Sequence, residues 1–197
     1  MLNELLKPYD IILASGSPRR KQLLSEMGIR FRVETRPVNE IIPEGASPED
    51  AALFLSRLKA GAFEPDYFTP GRMIITADTI VALGNKILGK PNGYEQAVEM
   101  LKQLSGKCHK VITGVTIRSK AKERGFIVST DVYFKTLTNT EIEYYVSRFR
   151  PFDKAGAYGI QEWIGHAGIE KIEGSYFNVV GLPTHRLYEE LIKWAED

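Results

Sequence analysis

Apolar and polar positions alternate along this chain with two periods, one typical of strands and the other typical of helices. Apolar or alternating runs predict strands at residues 11–14, 31–35, 73–83, 111–117, 126–137, 169–172 and 177–181. Apolar residues at helical spacing predict helices that open at Ser17, Ser47, Asn92, Thr138 and Pro183. Because the strands and helices alternate without a regular strand–helix–strand rhythm, we expect an α/β fold with a mixed sheet.

The stretch 11–24 joins a short apolar strand to a helix through a small polar turn. Ser17 is the natural N-cap of that helix, and Pro18 suits its first turn. Such a corner presents free backbone N–H groups and the positive end of a helix dipole. Arg19 and Arg20 add guanidinium groups whose geometry suits phosphate oxygens. The stretch therefore indicates an anion site, with an ordinary strand-to-helix corner as the alternative.

Four charged residues elsewhere are candidates for chemistry. Asp78 is the sole charge in the most strand-like stretch, where a carboxylate is costly unless it is paired, hydrogen-bonded or metal-bound; the alternative is a structural aspartate that caps backbone donors. Lys59 lies on the apolar stripe of its helix, so it either reaches out to water or turns inward to a phosphate or carboxylate. Glu40 lies in a loop bracketed by prolines. A hairpin turn at 84–85 folds the chain back, so we expect Lys90 to return near the level of Asp78.

Composition narrows the class of protein. The 197 residues are 43% hydrophobic and 26% charged, which is ordinary for one globular domain. The net charge of +1 argues against a dedicated nucleic-acid binder. Cys108 is the only cysteine, so no intrachain disulfide can form, and we expect its thiol to be buried and unreactive. With no apolar run of membrane-spanning length and no signal-peptide core at the start, we expect a cytoplasmic protein without a membrane partner.

A set of short segments in order resembles the Maf family of nucleoside triphosphate pyrophosphatases. These segments are 13–20 (LASGSPRR), 77–81 (ADTIV), 89–91 (GKP), 105–106 (SG) and 153–161 (DKAGAYGIQ). The last of them resembles the branch that acts on dTTP and UTP. The resemblance implies a single domain over residues 1–197, with two lobes around a central cleft. It also implies a long twisted mixed sheet with flanking helices, similar to that of inosine triphosphate pyrophosphatases.

The resemblance also assigns roles to residues. It implies catalytic roles for Asp78, Glu40, Lys59 and Lys90, with Mg²⁺ or Mn²⁺ held by Glu40 and Asp78. It implies substrate binding by Ser15, Ser17, Arg19, Arg20, Thr79, Asp153, Lys154, Tyr158 and Gln161. Among these, Arg20 lies on the phosphate side with Lys59 and Lys90, while Arg19, Thr79 and Gln161 select the base. Glu162 follows Gln161 where many members have glycine, and we expect this departure to alter the loop near the base.

The expected reaction is the metal-dependent hydrolysis of dTTP and UTP, and of modified pyrimidine nucleotides, to a nucleoside monophosphate and pyrophosphate. The alternative is a nucleotide-binding regulatory protein linked to cell division. Two carboxylates beside a polyphosphate favour the enzyme, because a pure binder gains nothing from them. The expected partner is a nucleoside triphosphate and not a nucleic acid, and the assembly is left open between a monomer and a homodimer.

Overall fold

A computed structural model of the chain describes residues 2–197. Its centre is one seven-stranded sheet. The strands are β1 (Asp10–Leu13), β2 (Arg32–Val33), β3 (Arg72–Leu83), β4 (Lys86–Leu88), β5 (Cys108–Arg118), β6 (Glu123–Phe134) and β7 (Ile169–Glu173). Their order is β2-β1-β3-β5-β6-β7, with β4 paired to β3. Strand β1 runs parallel to β2 and β3, whereas the other pairs are antiparallel. The predicted α/β fold with a mixed sheet is confirmed.

Along one of the two edges of β3, the pairing with neighbouring strands is interrupted, which leaves a gap. Strand β5 pairs with the opposite edge continuously from Ile74 to Ala82. On the gapped edge, β1 pairs with β3 only as far as Ile75, and β4 joins only at Val81. Within the described chain, residues 76–80 of β3 therefore have a strand neighbour on one edge alone. Asp78 and Thr79, which point to opposite faces of β3, are the partly exposed residues of this stretch.

Helices cover both faces of the sheet. They are α1 (Leu2–Leu5), α2 (Pro18–Glu26), α3 (Pro48–Gly61), α4 (Tyr94–Leu104), α5 (Asn139–Phe149), α6 (Trp163–Ala167), α7 (Tyr176–Val180) and α8 (Thr184–Glu196). Helix α3 packs on one face through Ala51, Ala52 and Leu55. The other face carries α2 and α8 at one end and α4 and α5 at the other. None of the helices in residues 2–197 combines the length and apolar character needed to cross a membrane.

The segment 177–181 is helical, so its predicted strand is wrong. Helix α7 begins after Ser175, whose hydroxyl accepts a hydrogen bond from the backbone N–H of Asn178. The buried Asn178 amide donates to the Val111 carbonyl of β5 and to the Thr130 hydroxyl of β6. A capping serine and a buried amide thus outweigh the β-branched composition of the segment.

Two smaller predictions also fail. Gly93, not Asn92, is the N-cap of α4, and the backbone N–H of Asn92 instead donates to the Gln96 side chain. Cys108 is exposed and not buried. Its neighbour His109 takes the buried face, because successive strand residues point to opposite faces.

Candidate active site

A cleft of about 610 Å³ opens at the gap in β3. The structure brings together in its lining all thirteen residues proposed from the sequence. These are Ser15, Ser17, Arg19, Arg20, Glu40, Lys59, Asp78, Thr79, Lys90, Asp153, Lys154, Tyr158 and Gln161. They come from the turn between β1 and α2, α2 itself, the 34–45 loop, α3, both faces of β3, the segment after β4, and the loop after α5. Their individual roles stay predictions, and the geometry below bears on each.

The corner between β1 and α2 is built as the sequence indicates. Ser17 is the N-cap of α2, and its hydroxyl accepts from the Arg20 backbone N–H. The Arg20 guanidinium turns back across the corner and donates to the Gly181 carbonyl at 2.8 Å, the Ser15 hydroxyl at 3.3 Å and the Thr79 hydroxyl at 2.9 Å. A guanidinium has five N–H donors, so two remain for a ligand. Burial lowers the pKa of Arg20 from its usual value, while the charge of Asp78 opposes that shift.

Lys59 turns inward, and its ammonium bridges two carboxylates. It forms an ion pair with Asp78 Oδ1 on β3 and lies 3.2 Å from Glu40 Oε1 in the 34–45 loop. The Lys59 and Asp78 side chains are only 18% and 13% exposed. This pairing decides between the two orientations that the sequence allowed for Lys59. An ammonium has three donors, so one is still available to a phosphate oxygen.

Thr79 lies on the opposite face of β3 from Asp78. Its hydroxyl accepts from Arg20 and lies 3.0 Å from the hydroxyl of Thr113 on β5. Thr79 thus helps to hold the Arg20 guanidinium in place. Its predicted part in base selection stays a prediction.

Residues 153–161 form a loop that is bonded to α2 through Arg19. Arg19 donates to Asp153 at 3.1 Å, and Lys154 donates to the other oxygen of Asp153 at 2.7 Å. Burial acts to raise the pKa of Asp153, but the hydrogen bonds from Lys154 and Arg19 outweigh it and hold that pKa below its usual value. The backbone N–H of Gly156 donates to the Gly89 carbonyl, next to Lys90. The loop is therefore held from two sides of the cleft.

Tyr158 closes the inner wall of the cleft. Its hydroxyl lies 2.8 Å from His109 Nε2, and its ring packs edge-on against Phe134. Burial raises the pKa of Tyr158 and lowers the pKa of His109 to about 4. Both side chains are therefore neutral near pH 7. By contrast, Lys90 and Gln161 are exposed at the cleft, where a ligand can reach them.

The structure adds participants that sequence reasoning missed. Arg36 and Phe63 line the cleft, and the Arg36 guanidinium lies 5.4 Å from the Phe63 ring centroid. The Gly181 carbonyl fixes Arg20, but it belongs to a segment wrongly predicted as a strand. The sequence signal that could have pointed to Arg36 is its position beside Pro37, at the start of the loop that carries Glu40.

The cleft concentrates positive charge. Six cationic and three carboxylate side chains line it, an excess of three in a chain whose net charge is +1. A low-dielectric cleft with one dominant sign of charge raises the local concentration of the opposite ion. The cleft is therefore suited to a small polyanion.

In a comparison with protein families, the model described as Maf-like protein matches residues 10–194. The chain belongs to the Maf-like protein family. The Christiangramia forsetii member is 53% identical over 97% of both chains and is named dTTP/UTP pyrophosphatase. Members with the same name from Cytophaga hutchinsonii and Bacteroides thetaiotaomicron are 52% and 50% identical, covering 93% and 98% of this chain and 84% and 100% of their own.

A solved structure, that of the Staphylococcus aureus Ham1 protein, aligns with 94% of this chain and 99% of its own. Its sequence identity is 14% and its TM-score is 0.49, which is too low to support an argument about this Maf-like protein.

The donor set of this Maf-like cleft fits a divalent cation that arrives with its ligand. Glu40 and Asp78 both face the Lys59 ammonium, so positive charge already lies between these two carboxylates. Within residues 2–197, no group of three or more His, Cys, Asp and Glu residues could form a closed metal cage. Mg²⁺ usually keeps several waters and binds through one or two carboxylates together with substrate phosphates. Two carboxylates in a cationic cleft match that pattern.

Proposed function

We propose that this chain hydrolyses dTTP and UTP to a nucleoside monophosphate and pyrophosphate. The observation that carries the proposal is the convergence of Asp78, Lys59, Glu40 and Arg20 in one positively charged cleft of a Maf-like chain. Relatives that are about half identical over nearly the full length bear the name of this activity. The exposed thiol of Cys108 suits the reducing cytoplasm, where we place the activity.

The cations of the cleft would hold the triphosphate. Attack on a phosphorus atom requires its surrounding negative charge to be neutralised. Arg20 offers its two remaining N–H donors, Lys59 offers one, and Lys90 is exposed at the lip of the cleft. Because Arg20 is fixed by three partners, its charge needs little reorganisation when the ligand binds.

Asp78 is the group that we assign to the attacking water. Its carboxylate is largely shielded from solvent, and Lys59 contacts Oδ1. Within the described chain Oδ2 has no hydrogen-bond partner, so it is available to orient a water and to accept its proton. Mg²⁺ or Mn²⁺ held by Glu40 and Asp78 would supply further charge neutralisation at the phosphates when bound.

Gln161 is the group that we assign to the base. Uracil and thymine present an N3–H donor flanked by carbonyl acceptors, and a glutamine amide offers both an acceptor and donors to that edge. Cytosine has an unprotonated N3 and a C4 amino group, so the same amide would have to turn over. If the amide is held in one orientation, cytosine leaves polar groups unpaired, at about 1–3 kcal/mol each.

The test is pyrophosphate release from dTTP, UTP, CTP, ATP and GTP, each with and without Mg²⁺ or Mn²⁺. We expect dTTP and UTP to be hydrolysed fastest, with little distinction between deoxyribose and ribose, and only with a cation. The Asp78→Asn variant, purified in the same way, controls for a contaminating hydrolase. A purine nucleotide that outpaces both dTTP and UTP would contradict the proposed substrate class.

A further inference from the structure

Glu162 follows Gln161, the residue that we assign to the base, but does not itself line the cleft. Its carboxylate Oε1 lies 3.0 Å from Lys154 Nζ, and its Oε2 accepts a hydrogen bond from the Tyr145 hydroxyl. Its backbone N–H donates to the Gly159 carbonyl at 3.0 Å. Glu162 thus contacts two residues of the loop that precedes Gln161, Lys154 and Gly159, and also Tyr145 on helix α5.

Tyr145 connects this carboxylate to the backbone of the loop. It lies on α5 with its side chain fully buried and its ring stacked on Phe149, 5.2 Å between centroids. Its hydroxyl donates to Glu162 and accepts the backbone N–H of Gly159 at 3.0 Å. Burial raises the pKa of Tyr145, and the hydrogen bond to Glu162 raises it further, so this hydroxyl keeps its proton. A rigid helix therefore holds the loop two residues before Gln161.

Packing over Gly159 shows how closely these groups fit. A Cβ atom at Gly159 would lie 3.0 Å from Glu162 Cδ and 3.1 Å from Lys154 Cε. Those distances are below ordinary van der Waals contact, so the Glu162–Lys154 pair lies directly on the glycine. A side chain at this position would require the Glu162 and Lys154 side chains to shift by a few tenths of an ångström.

The Lys154 ammonium depends on Glu162 for a sheltered counter-charge. The Lys154 side chain is 10% exposed, and that of Glu162 is 21% exposed, whereas that of its other partner, Asp153, is 61% exposed. A buried cation is costly unless it is paired with hydrogen-bonded opposite charge. Asp153 in turn binds Arg19, so one chain of contacts runs from α5 through Glu162 to α2.

We infer that Glu162 and Tyr145 are positioning residues that fix the loop backbone on both sides of Gln161, at Gly159 and Glu162, and so set the selectivity of the cleft among pyrimidines. This inference rests on the proposed function and deepens it. Lys154 belongs to the same support, because its contacts are with Asp153 and Glu162. Loosening the support lets Gln161 turn, so that cytosine is accepted and uracil is bound less well.

The experiment compares Glu162→Gln and Tyr145→Phe with two matched controls on the exposed part of α5, Glu143→Gln and Tyr144→Phe. For each protein, KM and kcat are measured with UTP and CTP, together with inhibition by inorganic tripolyphosphate, which has no base. We expect each test variant to raise KM for UTP and to reduce the UTP-to-CTP ratio of kcat/KM by about tenfold, the equivalent of about 1.4 kcal/mol. Inhibition by tripolyphosphate should not change, and the controls should match the wild type.

The double variant measures whether Glu162 and Tyr145 act as one unit. If they do, combining Tyr145→Phe with Glu162→Gln reduces the UTP-to-CTP ratio of kcat/KM no further than the more damaging of the two single substitutions. If kcat/KM for UTP, kcat/KM for CTP and the affinity for tripolyphosphate all fell by the same factor, and the melting temperature fell too, the role would be merely structural. That result would overturn the inference. Selectivity equal to that of the controls would overturn it as well.

Binding of uridine and cytidine monophosphate, measured by calorimetry, separates this inference from the proposed reaction. If the wild type fails to hydrolyse dTTP and UTP, the proposed function is wrong. A preference for uridine monophosphate that disappears in Glu162→Gln would still support the positioning role. Equal binding of the two monophosphates by the wild type would overturn it.

Discussion

Gly114 on β5 lies directly opposite Asp78 in the antiparallel register with β3, and helix α3 rests on it. A Cβ atom at Gly114 would lie 2.3 Å from the Ala52 carbonyl oxygen and 2.4 Å from its carbon. The same helix carries Lys59 one and a half to two turns further on. The missing side chain at Gly114 thus sets how close Lys59 comes to Asp78.

Gly114→Ala should push α3 away from the sheet. Because the added methyl meets backbone and not a flexible side chain, we expect a loss of about 2 kcal/mol or more in the free energy of unfolding, of the size seen for overpacked cores. Activity at a temperature where the variant is folded should fall too, since Lys59 moves. Gly61→Ala, at the end of the same helix with open space around its Cβ, is the control. Denaturant unfolding that shows equal stability for the two variants would contradict this account.

Asp78→Asn should abolish most turnover and leave the fold intact. The amide keeps the shape of the carboxylate but accepts a proton poorly, so we expect kcat for dTTP to fall by about a hundredfold or more. Lys59 still has Glu40 as a partner, and circular dichroism should match the wild type. Asp66→Asn, at an exposed aspartate outside the cleft, controls for the change of charge. A variant at position 78 that works at near the wild-type rate would remove Asp78 from the mechanism.

Lys59→Met should lower the catalytic efficiency but raise the affinity of the nucleotide-free protein for a divalent cation. The substitution keeps the apolar stem and removes the ammonium that now bridges Glu40 and Asp78. We expect kcat/KM to fall by about tenfold or more, or at least about 1.4 kcal/mol of transition-state stabilisation.

The same variant should bind Mn²⁺ more tightly without nucleotide, because two unpaired carboxylates then face each other. Calorimetric titration of the nucleotide-free proteins with Mn²⁺ measures this directly. Lys86→Met, at an exposed lysine outside the cleft whose ammonium donates to the Gln103 side chain, is the control. Weaker Mn²⁺ binding by the Lys59 variant would show that the two carboxylates do not form the cation site.

Because His109 is buried in its neutral form, the free energy of unfolding should fall as the pH is lowered. Burial lowers its pKa from 6.5 to about 4, so between these values the unfolded chain binds a proton that the folded chain does not. The stability that depends on a neutral His109 is present above pH 6.5 and is lost as the pH falls toward 4. The shift corresponds to about 3 kcal/mol at most.

Urea unfolding of wild type and His109→Gln from pH 7 to pH 4 tests this sign. The variant should be less stable at pH 7, because it loses the contact with Tyr158, but it should lose less stability on acidification. His166→Gln, at an exposed histidine, should keep the wild-type pH dependence. Parallel curves for wild type and His109→Gln would contradict the buried neutral state.

The local parts of the site could be predicted from sequence because they depend on neighbours in the chain. Ser17 and Pro18 specify the start of α2, and helical spacing placed Lys59 on the buried stripe of α3. Charge and spacing singled out six of the thirteen residues that the cleft brings together, and the resemblance to the Maf family added the other seven; their separate roles and the single-domain assignment stay predictions.

Only the tertiary structure decided which partners these residues meet. Arg20 donates to the carbonyl of Gly181, 161 residues further along the chain. Lys59 points inward because its ammonium pairs with Asp78, which lies on β3, 19 residues further along the chain. The exposed Cys108 and the helix α7 likewise follow from which face of β5 is covered and from the buried amide of Asn178. Periodicity and capping describe contacts within a few residues. Charge pairing across the cleft depends on sheet register and helix packing, which a single sequence does not display.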